Sequence, residues 1–258
     1  VSGPEMCRHL GYLGPPRTPA DPLFEAPHSL LRQTYAPRDM RGGGVVNADG
    51  FGLGWYDGEP EPVRYRRPAP LWSDADLPRL ARSVRSGAFV AAVRNGTTGM
   101  PSGEGACAPF TGGRWLFSHN GLVRGWPDSL AELAGKLPVT DLMTLPAPTD
   151  SAVLWALLLD RLRAGEEPAA AVTDLITRVE RAAPGSRLNF LLTDGTVLIG
   201  TAWTHSLWAR VEGEAVLFAS EPLDDAPGWS EVPDRHLVAA RHGAVELVAL
   251  NADRSVVS

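Results

Sequence analysis

With 258 residues, 44% hydrophobic against 21% charged, the chain fits one full-sized domain or at most two small ones, and a disordered or fibrous polypeptide is excluded. A net charge of −6 argues against nucleic acid or an acidic membrane surface as the main partner. The longest apolar run, Val153 to Leu159, falls far short of the roughly 20 residues that cross a bilayer, and no charged-apolar-small leader pattern opens the chain, so a cytoplasmic protein is expected.

In chain order, Cys7 to Leu13 reads as a first strand, stopped by Gly14-Pro15-Pro16. Residues 22–44 look irregular, with one helical turn near Leu30. Phe51 to Tyr56 and Val63 to Arg66 read as strands parted by a turn at 58–62. Leu77, Leu80, Ala81 and Val84 recur at helical spacing over 76–84. Ala88 to Val93 is an apolar strand running into a Gly-rich loop over 95–105, and Trp115 to Ser118 is another, ended by Asn120-Gly121. A helix is expected from the Thr149-Asp150-Ser151 cap cluster to Arg163, before Gly165. A second runs from Pro168 to about Pro184-Gly185. The rest is strand-like, over 187–193, 196–203, 206–211, 214–219, 236–241 and 244–250, with turns at Asp194-Gly195 and Glu212-Gly213. Strands, a central helix pair and a strand-rich end point to two antiparallel sheets with helices packed outside. No internal repeat or long linker divides the chain.

Cys7 and Cys107 are too few for a disulfide framework and lack C-x-x-C spacing. Lys136 is the sole lysine among 24 basic residues, so arginine abundance reflects coding bias. There is no G-x-S-x-G, H-E-x-x-H or P-loop, and no spaced Cys/His set for zinc. Gly50-Phe51-Gly52-Leu53-Gly54 leads into Trp55-Tyr56 rather than a helix, which makes it a poor dinucleotide loop. Cys7 alone reads as a small buried hydrophobe, but Met6-Cys7 resembles a translation start. Trimming of Met6 would expose Cys7, and an N-terminal thiol beside its own α-amine, with a pKa near 8, is nucleophile and general base in one residue.

The opening Cys7-Arg8-His9-Leu10-Gly11-Tyr12-Leu13-Gly14 resembles the start of a class II glutamine amidotransferase, an N-terminal-nucleophile hydrolase. The resemblance continues through residues 47–55, beginning Asn47-Ala48-Asp49-Gly50, and through Val93-Arg94-Asn95-Gly96-Thr97-Thr98-Gly99 and Ala108-Pro109-Phe110. It ends with Phe117-Ser118-His119-Asn120-Gly121, Thr149-Asp150-Ser151 and Ser220-Glu221-Pro222-Leu223. Each motif alone is weak; their joint order over nearly the whole chain is specific. Ala91-Ala92-Val93-Arg94, Ala106-Cys107-Ala108 and Ser29-Leu30-Leu31-Arg32-Gln33 make the chain most similar to the branch that cuts γ-glutamyl amides in ergothioneine biosynthesis.

The resemblance implies an α+β fold, a four-layer αββα sandwich of two antiparallel sheets flanked by helices. It makes Cys7 the nucleophile, with the Asn120 amide and Gly121 N–H as oxyanion hole, against the plain reading of Asn-Gly as a type I′ turn. It places Arg94 on the substrate α-carboxylate, which suits a planar forked donor, against a surface charge at a strand end. It gives Asp150 the α-ammonium, a role compatible with a helix cap. Gly52, Trp55, Thr97 and Thr98 would line the pocket, Asn47 and Asp49 organise a loop, and His119 takes no proton-transfer role. Cys107 reads as an inert thiol. No metal or cofactor is needed, and the partner is a small γ-glutamyl molecule.

Three functions compete: a free-standing γ-glutamyl hydrolase, which the absence of an acceptor domain favours; a glutaminase feeding ammonia to a separate synthase; and a silent binding protein, disfavoured by the retained motif residues. Residues 1–6 read as an extension, a cloning remnant or a mis-set start, ahead of a single domain over 7–258. With them attached, the Cys7 amine is an amide and the enzyme is expected to be inactive. The leaving-group pocket and the oligomeric state are not legible at this level.

Overall fold

The structure, a computed structural model, describes residues 7–39, 46–96, 100–241 and 243–250. Two antiparallel sheets lie face to face. The first has seven strands in the order β11-β9-β10-β1-β4-β2-β3 and the second six, β13-β12-β8-β7-β6-β5. The first comprises β1 (Arg8–Arg17), β2 (Gly50–Trp55), β3 (Val63–Arg67), β4 (Ser86–Arg94), β9 (Trp208–Glu212), β10 (Ala215–Ala219) and β11 (Trp229–Glu231). The second comprises β5 (Phe110–Gly112), β6 (Trp115–Leu122), β7 (Arg187–Thr193), β8 (Leu198–Ala202), β12 (His236–Arg241) and β13 (Ala244–Ala249).

Period-two alternation along the strands sorts the core into three seams. Between the sheets lie Leu13, Val90, Leu116, Leu191, Leu198 and Phe218. Outside the first sheet, Leu10, Tyr12, Phe51, Leu53, Trp55 and Phe89 pack under Leu23 and two short helices, α1 (Leu30–Gln33) and α2 (Leu77–Ser83). Outside the second, Phe117, Leu188 and Phe190 pack under the long helices α5 (Asp150–Arg163) and α6 (Pro168–Ala182). Two shorter helices, α3 (Ala131–Ala134) and α4 (Val139–Met143), lie against α5. The helix-sheet-sheet-helix order matches the expected four layers, but both long helices sit on one side and the opposite layer is thin.

One face of β2 carries only glycine. A Cβ on Gly50 would lie 2.4 Å from Cys107 Sγ, on Gly52 2.2 Å from Ala108 O, and on Gly54 2.7 Å from Leu116 Cδ2. Glycines at 50, 52 and 54 therefore make a groove that seats the segment leading into β5, while Phe51, Leu53 and Trp55 anchor the opposite face in the core.

Several expected boundaries change. β1 continues through Gly14-Pro15-Pro16 to Arg17, because a register shift after Leu13 lets the strand re-pair at Arg17 with Ser86. Asn120-Gly121 is no turn: both residues lie inside β6, opposite Asn189 and Leu188 of β7. β5, β11, α3 and α4 have no counterpart among the expected elements, being only three to five residues long.

Candidate active site

Cys7 precedes β1, and alternation puts its side chain on the same face as His9 and Gly11, toward the second sheet. His9 Nδ1 lies 3.1 Å from Ser118 Oγ of β6, and a Cβ on Gly11 would meet Leu198 of β8 at 2.9 Å. The thiol is half-buried, and Sγ lies 3.7 Å from Asn95 O. It opens onto a cleft walled by Arg94, Gly96, Gly121, Thr149, Asp150 and Ser151. An adjoining recess reaches Phe110 and His119.

Arg94 ends β4 opposite Gly50 of β2. Its backbone oxygen accepts from Asp49 N at 3.0 Å, and Asp49 Oδ2 accepts from Gly96 N at 2.8 Å. Asp49 thus holds the chain on both sides of Asn95. Gly96 lets the backbone lie against the guanidinium, since a Cβ there would sit 2.8 Å from Arg94 Nη2. Among the described residues no carboxylate forms an ion pair with Arg94. Asn47 is buried further back and donates its N–H to Thr34 O at 2.7 Å.

Asp150 occupies the first turn of α5, but Thr149 is the cap: its side chain accepts from Ala152 N at 3.2 Å. The expected cap role of Asp150 passes to its neighbour, which leaves the carboxylate for other work. Oδ2 accepts from Val123 N at 2.8 Å and Oδ1 from Ser151 N at 2.7 Å, and the residue is 7% exposed. Two backbone donors therefore fix both carboxylate oxygens at the helix N-terminus.

Asn120 and Gly121 behave differently from each other. Gly121 lines the cleft, and a Cβ there would lie 1.9 Å from Arg187 O, so close strand approach requires glycine. Asn120 is fully buried; its Nδ2 donates to Ser220 Oγ at 3.3 Å, and its Oδ1 has no hydrogen-bond partner among the described residues. Ser220 Oγ also accepts from His9 N at 3.0 Å. His119 Nε2 faces Arg187 O at 2.8 Å and must donate to it, so Nδ1 accepts from Ser151 Oγ at 2.9 Å. Burial holds this imidazole below its ordinary pKa, against the opposing pull of the Asp150 charge.

The structure therefore gathers Cys7, Arg94, Gly121 and Asp150 around one cleft and sets Asn120 directly behind it. Gly52 and Trp55 do not join them, which corrects their expected place in the pocket. Gly52 is covered by Ala108, and Trp55, 9% exposed, is part of the outer core. Thr97 and Thr98 lie outside the described residues. Ser220 and Ser151 belong to motifs recognised in the sequence, but their contacts come from distant strands. Cys107 is buried, its thiol pushed up by burial, and Sγ lies 3.4 Å from Arg67 O.

The family model for class II glutamine amidotransferases matches residues 33–212. The chain belongs to that family. As a class II amidotransferase it is 42% identical over 245 residues to the γ-glutamyl-hercynylcysteine sulfoxide hydrolase of Mycolicibacterium smegmatis, covering 95% of this chain and all of that one. The enzyme of the same description from Mycobacterium tuberculosis is 41% identical, covering 95% and 97% of the two chains. Among solved structures, a class II glutamine aminotransferase domain protein from Silicibacter pomeroyi superposes with a TM-score of 0.69 at 26% identity, over 95% of this chain and all of that one.

Proposed function

We propose that this amidotransferase-family enzyme hydrolyses the γ-glutamyl amide bond of γ-glutamyl-hercynylcysteine sulfoxide, releasing glutamate and hercynylcysteine sulfoxide. The observation that carries the reading is the single cleft shared by a half-buried thiol, a guanidinium without a carboxylate partner among the described residues, and a buried, backbone-held carboxylate. Arg94 and Asp150 are complementary to the two charges of a glutamyl α-amino acid end. The curated relatives' shared description supports the identity of the leaving group.

In this mechanism the Cys7 α-amine takes the thiol proton and Sγ attacks the γ-carbonyl carbon, forming a C–S bond. Gly121 N–H and the Asn120 amide face the developing oxyanion; one such donor is worth about 3 kcal/mol in the transition state. The resulting ammonium protonates the leaving nitrogen as the C–N bond breaks. Water, deprotonated by the same amine, then cleaves the thioester to glutamate and restores the thiol. Because the α-amine is the base, residues 1–6 must be absent from the active form, leaving Cys7 first.

The test follows glutamate release from the sulfoxide conjugate and from glutamine in parallel, with intact-mass measurement of the active material. Strong preference for the conjugate, lost in Cys7→Ala, supports the hydrolase. Preference for glutamine would make the chain an ammonia-supplying glutaminase, and full turnover with Val1 still attached would overturn the mechanism.

A further inference from the structure

A second cavity, of about 230 Å3, shares Phe110 with the recess beside Cys7, and its wall takes up Ala152 where the recess ends at Ser151. Its floor includes Trp155, and Arg64, Arg66 and Arg163 converge on it with Asp141 as the one carboxylate in the lining. Arg64 and Arg66 stand two apart on β3 and therefore project from the same face, opposite Gly54 and Gly52 of β2. The glycine groove leaves room for both side chains beneath the segment entering β5.

These cations are not equally neutralised. Arg163 pairs with Asp141 at 3.0 Å, and Arg66 lies 3.6 Å from Glu104 and donates to Cys107 O at 3.0 Å. Among the described residues Arg64 makes one hydrogen bond, from Nη1 to Pro109 O at 3.3 Å, and has no ion-pair partner. Burial first, then the neighbouring charge of Arg66, draws its guanidinium down to about 10, against a weaker opposing pull from Glu104. A half-buried guanidinium with most of its donors uncommitted, beside a second cation, is built to receive an anion. The planar fork suits a carboxylate.

We propose that this cavity is the leaving-group subsite, in which Arg64, seconded by Arg66, binds a carboxylate of the amine released at Cys7. The inference rests on the γ-glutamyl hydrolase reading above. An amine built from a cysteine and a histidine betaine carries two carboxylates, one on the carbon that bears the leaving nitrogen and one at its far end, whereas glutamine releases only ammonia and has nothing to place there. Phe110 and Trp155 supply an apolar wall beside the charge. Arg64 is then the residue that separates an amide of a bulky amino acid from glutamine itself.

The test compares kcat/KM for the sulfoxide conjugate with kcat/KM for glutamine in wild type, Arg64→Ala and Arg64→Lys. The conjugate-to-glutamine ratio is expected to fall about tenfold or more in Arg64→Ala, as for loss of one charge-assisted contact. The fall should lie mainly in KM, with partial recovery in Arg64→Lys. Conjugate methyl-esterified only on the carboxylates of the released amine, with the glutamyl α-carboxylate left free, should show little difference between wild type and Arg64→Ala. An unchanged ratio, or an equal loss for both substrates, overturns the subsite while leaving the hydrolase reading intact. Wild-type enzyme that turns over glutamine but not the conjugate overturns both.

Discussion

Asn120 Nδ2 donates to Ser220 Oγ at 3.3 Å, and the same oxygen accepts from His9 N at 3.0 Å. One hydroxyl from the end of β10 therefore couples the amide behind the cleft to the strand that begins just after Cys7. Ser220→Ala leaves Asn120 free to turn, and kcat should drop about tenfold, the worth of one well-placed hydrogen bond at a buried site. KM should change little. Steady-state kinetics with unchanged kcat would remove Ser220 from the positioning of Asn120.

Thr149 and Asp150 adjoin but should separate cleanly on mutation. Thr149→Ala removes the cap bond to Ala152 N and is expected to cost about 1 kcal/mol in urea unfolding, with KM retained. Asp150→Asn keeps an acceptor for Val123 N but loses the charge, and KM should rise about tenfold or more. A normal KM in Asp150→Asn would deny it the substrate ammonium.

Gly52 and Trp55 are predicted to act on folding. Gly52→Ala drives a methyl into Ala108 O and should destabilise by about 1–3 kcal/mol, as overpacking does. Trp55→Phe thins the outer core, and the denaturation midpoint should fall while KM holds. A selective rise in KM for Trp55→Phe would return that residue to the pocket.

His9 and His205 are buried, and burial, with neighbouring positive groups, lowers both to about 3 from an ordinary 6.5. The unfolded chain takes up protons below pH 6.5 that the folded chain refuses. Their contribution to stability is thus fully present above pH 6.5 and is lost progressively as pH falls from 6.5 toward 3. Both His205 nitrogens lack hydrogen-bond partners among the described residues. His205→Asn should reduce the acid slope of unfolding free energy by one proton, about 1.4 kcal/mol per pH unit. An unaltered slope would mean that His205 already titrates normally.

Local patterns carried much of this fold. Apolar alternation located nearly every strand of the last third, and the helical period with its polar start located both long helices, because these signals depend on residues a few positions apart. The three- to five-residue elements passed unseen because so few residues show no period. Asn120-Gly121 misled for a related reason: the dipeptide favours a turn locally, but pairing with β7 holds it extended, a tertiary override of local preference. The strand over 51–56 is legible in the sequence, but the reason for glycine at 50, 52 and 54 appears only when the segment at 107–109 is laid against them.

By itself the sequence determined the family, the two-sheet architecture and the inventory of reactive groups, since ordered motifs and periodic apolar residues are written along the chain. Only the tertiary structure decided which of those groups meet. It brought Arg94, Gly121 and Asp150 to the thiol, withdrew Trp55 into the core, passed the helix cap to Thr149 and left Arg64 without an ion-pair partner among the described residues. Such outcomes depend on sheet register and on close backbone approach between distant segments, and neither is encoded in the spacing of neighbours.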